Sequence, residues 1–203
     1  MPNETTERDL KERLELIENM IAEGRRKCES WGWAFLLWGI AYYVAIAWSA
    51  LGSAAWSWIA WPITMIAAGI LTGVLASRVK RNQPATNLGR AMSAIWSVMG
   101  TVLFLVLMAV GLSGRADLHL IVAIAGGMLA VANGISSIIL RWKMQFACAL
   151  VWLATAVGAC FTTTNTQIAV LSLSAIFFCQ IVFGIYAMTL DARRRKQHEA
   201  LHA

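Results

Sequence analysis

A chain of 203 residues that is 59% hydrophobic and only 14% charged, with ten Trp, does not describe a water-soluble domain, since soluble chains run near half apolar and a quarter charged. Six membrane helices of about 21 residues each would leave about 77 residues for a head, a tail and loops, too few for an ordinary folded enzyme domain. The net charge of +6 belongs to topology and lipid headgroups, and no basic surface is left over for nucleic acid.

The chain divides into three parts. Residues 1–30 form a cytoplasmic amphipathic helix with a basic juxtamembrane segment, residues 31–190 a six-helix transmembrane domain, and residues 191–203 a basic cytoplasmic tail. In the head, Thr6-Glu7-Arg8-Asp9 fits a capping box. Leu10, Leu14, Ile17 and Ile21 recur at spacings of four, three and four, an a/d stripe over about two heptads. Glu4 with Arg8, Glu7 with Lys11, and Asp9 with Arg13 place opposite charges at i,i+4. Gly24 is expected to loosen the helix before the basic cluster Arg25-Arg26-Lys27. The stripe has two readings: a surface helix lying on the inner membrane face, or a docking stripe for a cytoplasmic protein partner or a second copy.

Long apolar runs follow at 31–51, 54–76, 91–112, 118–140, 146–163 and 168–190, none with a Lys, Arg, Asp or Glu in its interior. Each is about long enough to cross hydrocarbon, so the expected fold class is all-α, a polytopic bundle of six helices in the lipid bilayer. Alternate connections carry nearly all the Lys and Arg; the opposite set holds Arg115 alone. Positive charge stays cytoplasmic, which puts both termini inside. The first thirty residues are charged and helical in pattern, so no cleavable signal peptide is expected. Cys28, Cys148, Cys160 and Cys179 fall in the cytoplasmic segment or in spans, which argues against a disulfide framework.

A weak internal repeat runs through the spans. Gly69-Ile70, Gly134-Ile135 and Gly184-Ile185 each precede a basic residue by nine positions from the glycine. Three pseudo-repeated hairpins would produce that spacing, as would coincidence among Gly/Ala-rich helices. Gly69 with Gly73, and Gly126, Ala130 and Gly134, form small-residue faces suited to close helix packing, with Gly184 as the third repeat position. Trp31, Phe35, Trp38 and Tyr42 share one helical face, which suits bundle packing, lipid contact or an aromatic pocket.

Catalytic chemistry is sparse. Gly111-Leu112-Ser113-Gly114 spells the GxSG of rhomboid proteases, but that chemistry needs a His on another helix to take the Ser proton, and the sixth span has none. His198 and His202 lack a third ligand nearby, and no CxxC groups the cysteines. No catalytic residue, metal ligand or cofactor is therefore assigned. Asn133 and Gln180 are amides at membrane depth, where they act as interhelical hydrogen-bond glue or as polar contacts for a neutral ligand.

The run Leu14-Glu15-Leu16-Ile17-Glu18-Asn19-Met20-Ile21, a basic stretch, and then Phe35-Leu36-Leu37-Trp38-Gly39 resemble a group of bacterial inner-membrane proteins with no assigned activity. The resemblance covers about residues 10–45 and implies a bacterial inner-membrane location. In architecture alone, the three-hairpin plan is similar to HdeD-like membrane proteins. The functional expectation is a non-enzymatic sensory, regulatory or partner-docking protein; the alternative is a transporter or channel for a neutral or apolar small molecule.

Overall fold

The computed structural model describes residues 2–52, 57–80, 87–114 and 117–202. Eight α-helices follow one another: α1 (Pro2–Glu29), α2 (Gly32–Leu51), α3 (Ser57–Lys80), α4 (Asn87–Leu112), α5 (Leu118–Leu140), α6 (Lys143–Phe161), α7 (Asn165–Ile176) and α8 (Phe183–His202). A π-helical stretch, Phe177–Val182, joins α7 to α8 without a break, so the two form one continuous rod. Among the described residues, six helical segments are long and apolar enough to cross a membrane, α7 and α8 counting as one. The protein is therefore an integral membrane protein of the all-α class, and the apolar runs account for its spans because a bilayer core satisfies backbone polar groups only inside a helix.

Two tight pairings hold the bundle. α5 and α6 make the most extensive contact in the molecule. A Cβ at Gly126 would stand 3.2 Å from Ala156 and from the Trp152 carbonyl, and one at Gly134 would reach the Ala149 methyl at 3.9 Å. The second pairing runs α2 antiparallel to α8. There a Cβ at Gly184 would lie 2.9 Å from the Leu36 nitrogen and 3.0 Å from the Gly32 carbonyl, and a Cβ at Gly39 would lie 2.8 Å from that of Gln180. Glycine lets these backbones touch, and without a hydrophobic drive between helices such contact is the main source of association in lipid. Aromatic rings fill the space between the pairs. Phe35 meets Trp96 and Phe183 edge-on, at 5.2 and 5.0 Å between ring centroids, and Trp142 packs on Phe183 at 5.0 Å.

α3 and α4 are peripheral. α3 leans on α2, with Trp61 near Tyr42 at 6.4 Å. Among the described residues of α4 only Met92 and Leu103 are buried. α3 runs through Pro62, and the Thr64 hydroxyl donates back to the Ala60 carbonyl at 2.6 Å beside it.

Several expectations need correction. Gly69 and Gly73 do not pack within the chain: a Cβ at either would meet nothing within 4 Å. Gly69 is exposed, Gly134 half-buried and Gly184 buried, so the three Gly-Ile positions do not share a packing role. The strongest pairing, α5 with α6, also joins two supposed hairpins instead of lying inside one. Thr6 does not cap α1, which already begins at Pro2, a residue suited to a first turn because it lacks the N–H left unbonded there. Gly24 does not loosen α1 either. The helix continues to Glu29, and Gly24 is buried where Leu88 and Leu140 close over it.

α5 ends in an unusual cap. The Arg141 N–H donates to the Ile138 carbonyl and the Trp142 N–H to that of Ser137, the paired bonds of a Schellman motif. That motif needs a left-handed residue, usually glycine, and here Arg141 fills it at φ 49°. It is the one non-glycine residue with positive φ among those described, at a cost of about 1–2 kcal/mol.

Candidate functional site

Among its described side chains, the head helix is attached at its root. From Asp9 to Met20 every side chain is exposed, and contact with the bundle begins near Ile21. Leu10, Leu14 and Ile17 are 61%, 54% and 52% exposed, and Ile21 is half-buried. Leu16 and Met20 lie open beside them and widen the stripe. The flanks are mixed in sign, with Asp9, Glu12, Glu15 and Glu18 against Lys11 and Arg13. Arg13 pairs with Asp9 at 3.3 Å, one of the expected i,i+4 bridges; the side chains of Glu4, Glu7 and Arg8 lie outside the described residues.

At the root, Glu29 is 1% exposed and carries the attachment. Its carboxylate meets Arg25 at 3.4 Å one turn earlier and Arg194 of α8 at 3.2 Å. The Arg25 guanidinium also sits over the Trp142 ring, 5.7 Å from its centroid. Head, tail and the α5–α6 turn thus converge on one buried carboxylate, and a buried charge is tolerable only when paired in this way. The sequence reading missed Glu29. The signal for it was an acid set one turn after Arg25 in an otherwise basic stretch.

A second polar region lies inside the bundle. Asn133 donates through Nδ2 to the Leu129 carbonyl of its own helix at 2.8 Å, leaving Oδ1 buried without a partner. Gln180 is buried in the π-helical stretch with Oε1 unpartnered. Gln145, one residue before the apolar run 146–163, is fully buried in the first turn of α6 with both amide atoms unpartnered. The neighbouring Cys179 thiol donates to the Cys148 carbonyl at 3.6 Å. Buried polar atoms are nearly always bonded to protein or water, so each of these amides has hydrogen-bonding capacity left over inside the bundle.

Other singled-out residues have structural roles. The Ser113 hydroxyl donates to the Val110 carbonyl at 2.8 Å, and His119 faces Asp117 at 3.2 Å. The Asp117 carboxylate caps α5, and its hydrogen bonds to the His119 ring and backbone N–H hold its pKa below the usual aspartate value. The aromatic stripe of α2 is engaged in packing through Phe35 and Tyr42. The side chains of Cys28, His198 and His202 lie outside the described residues.

No protein-family model, curated protein or solved structure matches this chain.

Proposed function

We propose that this is a non-enzymatic regulatory membrane protein whose α1 helix docks a protein partner at the cytoplasmic face of a bacterial inner membrane. The orientation rests on the Lys and Arg distribution, and the bacterial location on the resemblance over residues 10–45. The docking role rests on one observation: Leu10, Leu14 and Ile17 remain more than half exposed on a helix whose root is fixed to the bundle. Fully burying such a side chain is worth about 1.5–3 kcal/mol. The stripe is too short to bind tightly alone, but confinement to the same membrane raises the effective concentration of a second helix.

Lipid is the weaker occupant. Interfacial helices carry Lys and Arg on the polar face with Trp or Phe opposite, whereas residues 9–20 hold four acids, two bases and no aromatic. The partner that fits is an amphipathic helix, from this chain or another, with an apolar stripe flanked by both charge signs. The test is Leu14→Glu with Ile17→Glu, followed by detergent-solubilised size and co-purifying proteins. Both side chains are exposed, so thermal stability should hold while the larger species or the partner is lost. Unchanged size and partners would refute docking.

A second reading, a carrier for a neutral small molecule, is supported by the unpartnered amide atoms of Asn133, Gln145 and Gln180.

A further inference from the structure

The root of α1 does more than join the head to the bundle. Between it and the ends of α5 and α8 lies a groove of about 270 Å³, room for roughly nine waters. Arg25, Arg26, Arg141 and Arg194 line it, with Glu18 as the one acid on its wall and Leu140 as part of its apolar surface. Behind the wall, Glu29 engages Arg25 and Arg194 through a single oxygen, Oε1. Four guanidinium groups thus face two carboxylates, a surplus of two positive charges in one concavity. Among the described residues, Arg26 and Arg141 make no ion pair. Each guanidinium offers five donors, so pairing with Glu29 leaves Arg25 and Arg194 with donors to spare.

Position narrows the ligand. Leu140 ends α5, Gly32 begins α2, and Arg194 lies one turn past Leu190, so the groove sits where the spans leave the bilayer core. At that depth phosphates are at hand, on lipid headgroups or free in solution. Planar guanidinium forks match phosphate oxygens two at a time, and basic pockets between membrane helices suit anionic headgroups. Arg141 adds a further observation. Its left-handed backbone would suit glycine better, yet it places a guanidinium on the groove wall.

We propose that this groove binds a phosphate-bearing anion, held by Arg25, Arg26, Arg141 and Arg194 at the root of the head helix. Occupancy would bridge α1, the α5–α6 turn and α8, fixing the angle at which the exposed part of α1 leaves the bundle. The site stands whether or not α1 docks a protein: of the stripe only the half-buried Ile21 lines it, while the exposed Leu10, Leu14 and Ile17 do not.

The experiment uses the full chain, delipidated in a neutral detergent, with unfolding followed by Trp fluorescence. Three probes are titrated at constant ionic strength: dioleoylphosphatidylglycerol, dioleoylphosphatidylcholine and sodium phosphate. Arg26→Gln and Arg141→Gly are compared with the parent, singly and together. The anionic lipid should raise the parent's Tm by several degrees and phosphatidylcholine should not. Each substitution should weaken the response about fivefold. Arg141→Gly should be at least as stable as the parent in phosphatidylcholine, since glycine relieves the left-handed turn, which separates lost binding from misfolding. A shift with the anionic lipid alone assigns the site to a headgroup; a shift reproduced by millimolar phosphate assigns it to a soluble phosphate. An equal lipid shift in the parent and the double variant overturns the proposal, as does a parent that responds to neither anionic probe.

Discussion

Substituting alanine for two glycines in matching sequence contexts should give opposite results. Gly184 and Gly69 each precede Ile and each stand nine residues before an Arg. At Gly184 a methyl would lie 2.9 Å from the Leu36 nitrogen and 3.0 Å from the Gly32 carbonyl, both backbone atoms that cannot rotate away. α2 and α8 would have to part by several tenths of an ångström along their seam. Overpacking of this kind costs about 1–3 kcal/mol, and alanine's better helix propensity returns about 0.5–1 kcal/mol. The net loss for Gly184→Ala is about 1–2 kcal/mol, or roughly 5 °C in Tm for a chain of this size. At Gly69 the methyl meets nothing within 4 Å, so Gly69→Ala should leave Tm unchanged or raise it slightly. Gly32→Ala presses on the same seam, 2.8 Å from the Gly184 carbonyl, so Gly32→Ala with Gly184→Ala should cost less than the two losses added. Thermal unfolding in detergent measures all four variants. Equal Tm values for Gly184→Ala and Gly69→Ala would refute the assignment of the α2–α8 contact as a glycine seam.

A double-mutant cycle on Glu29→Gln and Arg194→Gln should give a coupling of about 1–2 kcal/mol, below the value for a fully buried pair because Arg194 is 42% exposed; a coupling near zero would mean that Glu29 does not hold the tail. Gln145→Met removes two unpartnered amide atoms from a fully buried site and should raise stability by about 1–2 kcal/mol; a loss would show that the amide is bonded in the folded protein. Asp117→Ala should destabilise the protein at neutral pH. The folded pKa of Asp117 is lowered, so its contribution is complete above the ordinary aspartate value and fades as pH falls from there through the lower folded value. The gap between parent and variant should therefore begin to narrow below about pH 4, and a gap that stays unchanged as the pH falls further would refute the charge-based account.

The spans could be read from sequence because lipid demands an unbroken apolar helix, and 118–140 matched α5 residue for residue. Which face of each span packs could not. Lipid tails and neighbouring helices are equally apolar, so no periodicity separates Gly69, turned outward, from Gly184, pressed on Leu36. Asn133 and Gln180 stood out as amides at depth, whereas Gln145 did not, because it sits one residue before the apolar run that was read as a span. The spacing of Glu29 from Arg25 was legible, but its burial was not, because that depends on Arg194, which reaches it from the far end of the chain. The head stripe was legible because in water an i, i+3, i+4 pattern still distinguishes two faces.

The π-helical stretch sets the angular phase of everything after it. The Phe183 N–H donates to the Phe178 carbonyl, five residues back, where a regular helix would bond four back. Such a widened turn accommodates one extra residue, and one residue is about 100° of rotation around a helix. Gly184 faces α2 and Arg194 faces Glu29 in the phase that the widened turn establishes. Rewinding residues 177–182 as regular helix with every residue kept would swing both away by about 100°, more than a quarter turn. Loss of the widened turn in the apolar middle of the last span would thereby unfasten a carboxylate at the membrane edge, without altering any residue that touches it.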